Sequence, residues 1–445
     1  MDSEHEKEMA QAYMVFFFCI FVICATALYG AWQIWLDPYR GTVSTFEQSE
    51  KLDTVLTGMQ AAEDLKYIVG RLRERHPACI SGLPAAVQKE YEQEYAELSE
   101  STEVTVLSLW QSASRVLACL DDAHTTVRAY YEDTKILPLL FSWEGQCLVC
   151  SGGEYDGYTV NKIGGISVDQ LYERFQEQFP YELDAWARNA FASRINRSDY
   201  LAFVGISAER EVEISLEREN DGSIINKAFT LQENSMAVPA GTEPFYDYSI
   251  DKASGVAIFT LRQCIYDKTY KTALKDFFTS VRDGGIHSVI VDLRGNSGGN
   301  SLVANEFIRY LPVESYKVGS SNVRFGPVIW KNQSRQQKNQ QADHVFSGDV
   351  YVLTGTDSFS AAMGFATLLS DNGLGMVVGE IPGNMPSSYG DILCFQTPNA
   401  LLSFTVSYKY FIRPDATKSD LPLLPDLQVP AHDAMEETLR LIHKK

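Results

Sequence analysis

The most continuous apolar stretch in the chain comes first. No charged side chain occurs from Met9 to Leu36, and MVFFFCIFVICATALYG lies at its centre. A helix of about 20 apolar residues crosses the hydrocarbon core of a bilayer. Residues 9–36 therefore read as one transmembrane helix behind a polar tail, 1–8. Tyr13 at one end and Trp32 and Trp35 at the other suit the two interfaces. A signal peptide cleaved near Ala25-Thr26-Ala27 is the competing reading. The acidic leading segment and the apolar residues beyond that motif speak against it.

Asp37-Pro38 breaks the helix and opens a linker, 37–50. Apolar residues then recur at three- and four-residue spacing through LDTVLTGMQAAEDLKYIVGRLRER, PAAVQKEYEQEYAEL and TEVTVLSLWQSASRVLACL. This predicts a helical subdomain over 51–121, with helix starts at Pro84 and Thr102. From Pro138 the pattern shortens to LPLLFSW, CLVCSG and YTVNKIGG. That suggests a β-rich insert at about 138–240, with one helix (VDQLYERFQEQF) and further strands in REVEISLER and KAFTLQ. Beyond it, VAIFTLR, SVIVDLRG, DVYVLTG and MVVGE alternate with amphipathic helices. Residues 122–445 thus read as a layered α/β core around a largely buried sheet.

Charge and cysteine usage narrow the function. Lys and Arg number 38 against 58 Asp and Glu, a formal net charge of −20, which disfavours a nucleic-acid partner. Eight scattered cysteines make no disulfide framework. Cys147 and Cys150 lie three apart on a strand and face opposite sides, which suits packing better than a metal. The histidines show no metal-ligand spacing, so neither metal nor cofactor is expected.

Three segments can carry chemistry. In Ser288-Val-Ile-Val-Asp-Leu-Arg-Gly-Asn-Ser-Gly-Gly-Asn300 an apolar strand ends at Asp292 and enters a loop with Gly295, Gly298 and Gly299. Such a loop aims backbone N–H groups at an oxyanion, or is only a tight turn held by Asp292 and Arg294. In VYVLTGTDSFSAAMGFATLLSDNG, Ser360 opens a helix. It is either a nucleophile beside the Ala361 N–H or, like Ser358, a helix cap. In LDDAHTTV, His124 stands between a helix and an extended segment, as a general base or a surface turn residue.

In this order, RERHPAC, LDDAHTTV, VNKIGGISVDQL, VIVDLRGNSGGNS, VLTGTDSFSAAMGFATLLSDNGLGMVVGE and LLPDLQV resemble the carboxyl-terminal processing (tail-specific) protease family. The likeness extends to its tricorn-core and retinoid-binding-protein relatives. It implies a crotonase/ClpP-like α/β core and serine peptidase chemistry. Ser360 falls at the nucleophile position, with Ala361 and Gly298 or Gly299 supplying the oxyanion hole. Met363 replaces an acid of the family pattern, and Gly379 to Gly390 lacks the lysine many members use as base. The chain is more similar to the branch in which a histidine activates the serine, with His124 in that role. Asp420 or Ser419 lies in the region of the group that orients the histidine. VNKIGGISVDQL resembles the family's peptide-docking strand and turn, although a full PDZ module is not evident.

The implied protein is a single-pass, membrane-anchored serine endopeptidase with its catalytic part outside the cytoplasm, acting on peptide or protein substrates. The alternative is a non-catalytic peptide- or lipid-binding member of the same fold.

Overall fold

The computed structural model describes residues 2–207, 210–218, 220–233 and 244–444. The end of the expected insert, 234–240, and the Trp35 side chain lie outside the described residues. A first helix runs Asp2–Ala31 and continues as a wider turn, Trp32–Leu36. Its segment Tyr13–Ala31 is long and apolar enough to cross a membrane, and none of it is buried by the rest of the chain.

Three helices follow, Gly58–Arg75, Ala85–Glu100 and Val106–Ala118. The first is closed by a capping box in which Thr57 and Gln60 satisfy each other's backbone amides. Pro84 precedes the second helix, as expected. The third starts later than Thr102: Glu103–Thr105 pairs with Val55–Thr57 as a short ladder, and the Thr105 hydroxyl caps the helix.

The insert is less purely β than its sequence suggests. Six strands between Phe141 and Thr230 form an antiparallel sheet. Besides Val168–Gln176, however, helices occupy Asp184–Arg194 and Ser198–Phe203. In LDAWARNAFASR the apolar positions Ala187, Ala190 and Phe191 are buried, a helical spacing masked by the many small residues.

The central sheet has six strands whose spatial order is also their chain order: β1 (Tyr246–Asp251), β2 (Val256–Leu261), β3 (Ser288–Asp292), β4 (Asp349–Thr354), β5 (Met376–Gly379) and β6 (Leu427–Gln428). β1 is antiparallel to β2, and every later pair is parallel. All five residues of β3 are buried, because helices cover both faces. Lys268–Asp283, Leu302–Ile308 and Ala361–Asp371 lie on one face, and Ala434–His443 lies on the other.

A second, antiparallel sheet carries the long strands Tyr389–Gln396 and Ser403–Ile412, which periodicity alone passes over. Its far side is a hairpin of Ser320–Phe325 and Val328–Asn332. Val127–Arg128 pairs with Ser403 and Phe404. That pairing carries the segment around His124 to the C-terminal ends of β3 and β4, where ligands bind in open parallel sheets.

Candidate active site

β3 delivers the glycine loop and β4 delivers the serine. Past β3, Arg294 clasps Asp292 through Nε and Nη2 at 2.9 and 2.7 Å and donates from Nη1 to the Ala431 carbonyl. The expected Asp292–Arg294 pair thus fixes the turn. Asn296, fully buried, then ties the loop down. Its Nδ2 donates to the Leu261 carbonyl, and its Oδ1 accepts from Gly298 N at 2.8 Å. Its own carbonyl accepts from Phe359 N at 3.0 Å, fastening the loop to the serine segment.

Gly298 and Gly299 differ in consequence. The Gly298 N–H is already taken by Asn296. Gly299 bridges to Cys264 through its neighbours, the Gly298 carbonyl and the Asn300 amide, so its own N–H stays out of that ladder. Gly299 lines the main cavity, of about 850 Å³, together with Ser360, Ala361 and His124. The structure brings these expected residues to one place.

Ser360 precedes the helix Ala361–Asp371, and its side chain makes no capping hydrogen bond. Capping-type bonds belong to Ser358, whose hydroxyl accepts from Gly355 N and donates to the Leu293 carbonyl. Ser360 has φ 54° and ψ −118°, a conformation that L-residues adopt at a cost of about 1–3 kcal/mol. Asn384 holds it there by accepting from Ser360 N at 2.7 Å. A sharp strand-to-helix turn of this kind lifts a hydroxyl clear of the backbone, next to the first amide of the helix, Ala361 N, while Ala362 N donates to the Phe359 carbonyl.

His124 is 12 % exposed at its side chain, and both ring nitrogens are without a hydrogen-bond partner. Its ring packs on Phe359 at 4.6 Å, and Phe359 stacks on Trp186 at 4.1 Å. Burial holds the imidazole below its ordinary pKa, against the pull of Asp122 and Asp391. Asp122 is wholly buried. Its Oδ1 accepts from His124 N at 2.9 Å and lies 3.8 Å from His124 Nδ1. Its Oδ2 accepts from the Thr125 hydroxyl and meets His76 Nε2 at 3.1 Å. Because Ala78 N donates to His76 Nδ1, the proton of a neutral His76 sits on Nε2 and points at Asp122. Burial alone would raise the Asp122 pKa, but His76, His124 and Thr125 together hold it at about 2.

Ser419 and Asp420 are placed elsewhere. Ser419 donates to the Ala416 carbonyl beside a short 3-10 turn, Asp420 is exposed, and neither lines the cavity. The carboxyls beside His124 are Asp122 and Glu182, whose donor atoms and those of His124 all lie within 4.8 Å of one another. Glu182 comes from the insert, just before the helix Asp184–Arg194, and no motif in the sequence marks it. Burial, with Asp122 nearby, pushes its pKa to about 8. Its Oε2 accepts from Met385 N, while Oε1 is buried without a partner.

These three residues are the one His and carboxylate group among the described residues compact enough to suit a metal ion. Both Asp122 oxygens and Glu182 Oε2 are already hydrogen-bonded. Only the His124 nitrogens and Glu182 Oε1 are free, which suits proton transfer better than ligation.

Lys409 also reaches the cavity. Its ammonium pairs with Asp391 at 3.2 Å and lies 4.2 Å above the Phe411 ring. A paired ammonium is not the free amine a base requires. Cys147 is exposed and Cys150 buried on one strand, and both are free thiols.

A hydroxyl on a strained turn, amides at a helix start and a glycine loop facing one cavity are the apparatus of a serine-type peptidase. Residues 256–429 match the model for Peptidase family S41, so this part of the chain is a Peptidase S41 domain, in line with the resemblance to the carboxyl-terminal processing proteases. Among solved structures it is similar to mature CPAF, with a TM-score of 0.68 and 12% identity over 87% of this chain and 98% of that one. Mature CPAF complexed with lactacystin gives a TM-score of 0.65, with 12% identity over 87% and 97% of the two chains. No curated protein matches the sequence.

Proposed function

We propose that the chain is a membrane-anchored serine endopeptidase with Ser360 as nucleophile and His124 as general base. Ser360 Oγ attacks the substrate carbonyl as His124 takes its proton. The tetrahedral oxyanion is held by the Ala361 and Gly299 amides. The protonated imidazole then gives its proton to the leaving amine, and water hydrolyses the acyl-enzyme by the same steps in reverse. Asp122 faces Nδ1, which leaves Nε2 for the transfer.

The observation that carries this reading is the backbone of Ser360. A serine kept at φ 54° without capping its helix gains nothing structural from the strain. Asp122 and Glu182 support the base as positioning residues, in place of Asp420 and Ser419. A crotonase/ClpP-like core agrees with the parallel run β2 to β6 and with an oxyanion loop at the end of β3. The helix Tyr13–Ala31 supports anchoring by its length and full exposure.

The competing reading, a non-catalytic pocket for a peptide or lipid, draws on the absence of any hydrogen-bond partner for the His124 ring. Ser360→Ala separates the two. Peptide hydrolysis and labelling by a fluorophosphonate should both vanish in that variant. Undiminished labelling would remove Ser360 from the mechanism.

A further inference from the structure

We infer that the hairpin Ser320–Phe325/Val328–Asn332 is a second membrane contact, whose tip rests in the lipid interface beside the end of the N-terminal helix. The inference rests on the membrane-span reading above.

At about 1.5 Å per residue, Tyr13–Ala31 spans roughly the 30 Å of a bilayer's hydrocarbon core. Trp32, the next residue, therefore stands at the interface. Its ring lies 6.4 Å from Phe325, at the hairpin tip, so the tip is at that same level. The tip reads Phe325-Gly326-Pro327-Val328-Ile329-Trp330-Lys331. Trp330 is 62% exposed and Val328 48%, an unusual display for such residues in water.

Among the described residues Val328–Asn332 pairs only with Ser320–Phe325, so it is an open sheet edge carrying apolar side chains, a feature that soluble surfaces generally avoid. The local charge suits a lipid headgroup surface. No Asp or Glu occurs from 321 to 333, in a protein of net charge −20, and Lys331 is exposed next to the tip. Tryptophan and lysine are the side chains that favour the headgroup region.

This contact bears on the substrate. Ser320 and Ser321, at the other end of the same strand, line the cavity that holds Ser360. Five residues of strand amount to about 17 Å at roughly 3.4 Å each. The cavity mouth is thus within about 17 Å of the headgroups, suited to juxtamembrane segments of other membrane proteins.

The test uses the full chain reconstituted into phosphatidylcholine vesicles with and without brominated acyl chains. Bromolipid quenching of tryptophan emission is compared between the native chain and Trp330→Phe, with alkaline carbonate extraction run in parallel. The expected result is a quenched component that is lost in Trp330→Phe, while both chains stay in the membrane fraction. If both stay there and the two quench alike, the hairpin is away from lipid and this inference fails, while the anchor stands. Release of both chains by carbonate removes the anchor, and the inference with it. Equal quenching of the two chains, together with chemical cross-linking of the native chain to another copy through the hairpin, overturns it in favour of a dimer.

Discussion

Gly298 lies so close to Ser360 that a β-carbon on the glycine would stand 2.7 Å from the serine's own β-carbon. The same atom would be 2.8 Å from the Phe359 carbonyl oxygen and 3.0 Å from Ala361 N. The φ of Gly298 is 101°, so a side chain there also strains the backbone. Gly298→Ala should push the oxyanion loop off the serine turn. Activity should fall about 100-fold or more, the usual effect of losing one oxyanion donor. Initial-rate kinetics on any cleaved peptide check this, and a variant with native kcat would show that the loop does not take part.

Strain at Ser360 separates activity from stability. Glycine accepts φ 54° freely, whereas alanine does not. Ser360→Gly and Ser360→Ala should both be inactive, yet Ser360→Gly should melt at the higher temperature. A difference of about 1–3 kcal/mol is the scale of such strain. Thermal unfolding of the pair decides, and equal midpoints would mean that the turn is unstrained.

The pH profile follows from burial of His124. Only the neutral imidazole accepts the serine proton, and burial lowers the pKa at which it becomes neutral. The acidic limb of kcat/KM should therefore fall below the ordinary imidazole value of about 6.5. Asp122 opposes that shift, so Asp122→Asn should move the limb lower still, provided the variant folds. An acidic limb at or above the ordinary value would contradict the buried, neutral base.

Glu182 makes a prediction of opposite sign. Its folded pKa of about 8 exceeds the ordinary carboxyl value, so the folded state holds a proton that the unfolded chain releases. The stability this provides is lost as pH rises toward and through about 8. Glu182→Gln mimics the neutral acid and should remove that loss. Rates of the two proteins should coincide below pH 7 and separate above 8, where an ionised Glu182 raises the affinity of His124 for a proton. Denaturant melts at pH 6 and 9 with matched kinetics measure both. Parallel behaviour throughout would leave Glu182 a packing residue.

Lys409 lines the cavity but is paired with Asp391. Lys409→Met should therefore keep kcat within about threefold, a fraction of the 10²–10⁴ that a general base contributes. A loss of several orders of magnitude would transfer the role of base from His124 to the lysine.

Much of this protein is legible in one dimension because the signals are local. An uncharged run from Met9 to Leu36 is helical by its length and composition. The buried strand β3 and the glycine loop after it are contiguous in sequence, as are Ser360 and its helix, so each could be read as a unit. The Asn296 and Asn384 hydrogen bonds that fix those units join residues far apart or unremarkable alone. The choice between Gly298 and Gly299 depends on which amide Asn296 takes, a matter of three-dimensional contact.

Glu182 was the least visible of the site residues. Nothing in Tyr181-Glu182-Leu183-Asp184 distinguishes it from any surface acid, and its raised pKa arises only from desolvation beside Asp122. Asp420, by contrast, lies in the expected stretch of sequence but outside the cavity. Sequence by itself determined the apolar helix and the alternating core and marked the serine, loop and histidine as candidates, because each is encoded in neighbouring residues. Tertiary structure alone decided which carboxyls meet His124 and which amide is free, because burial and hydrogen-bond partners come from segments that the chain order keeps apart.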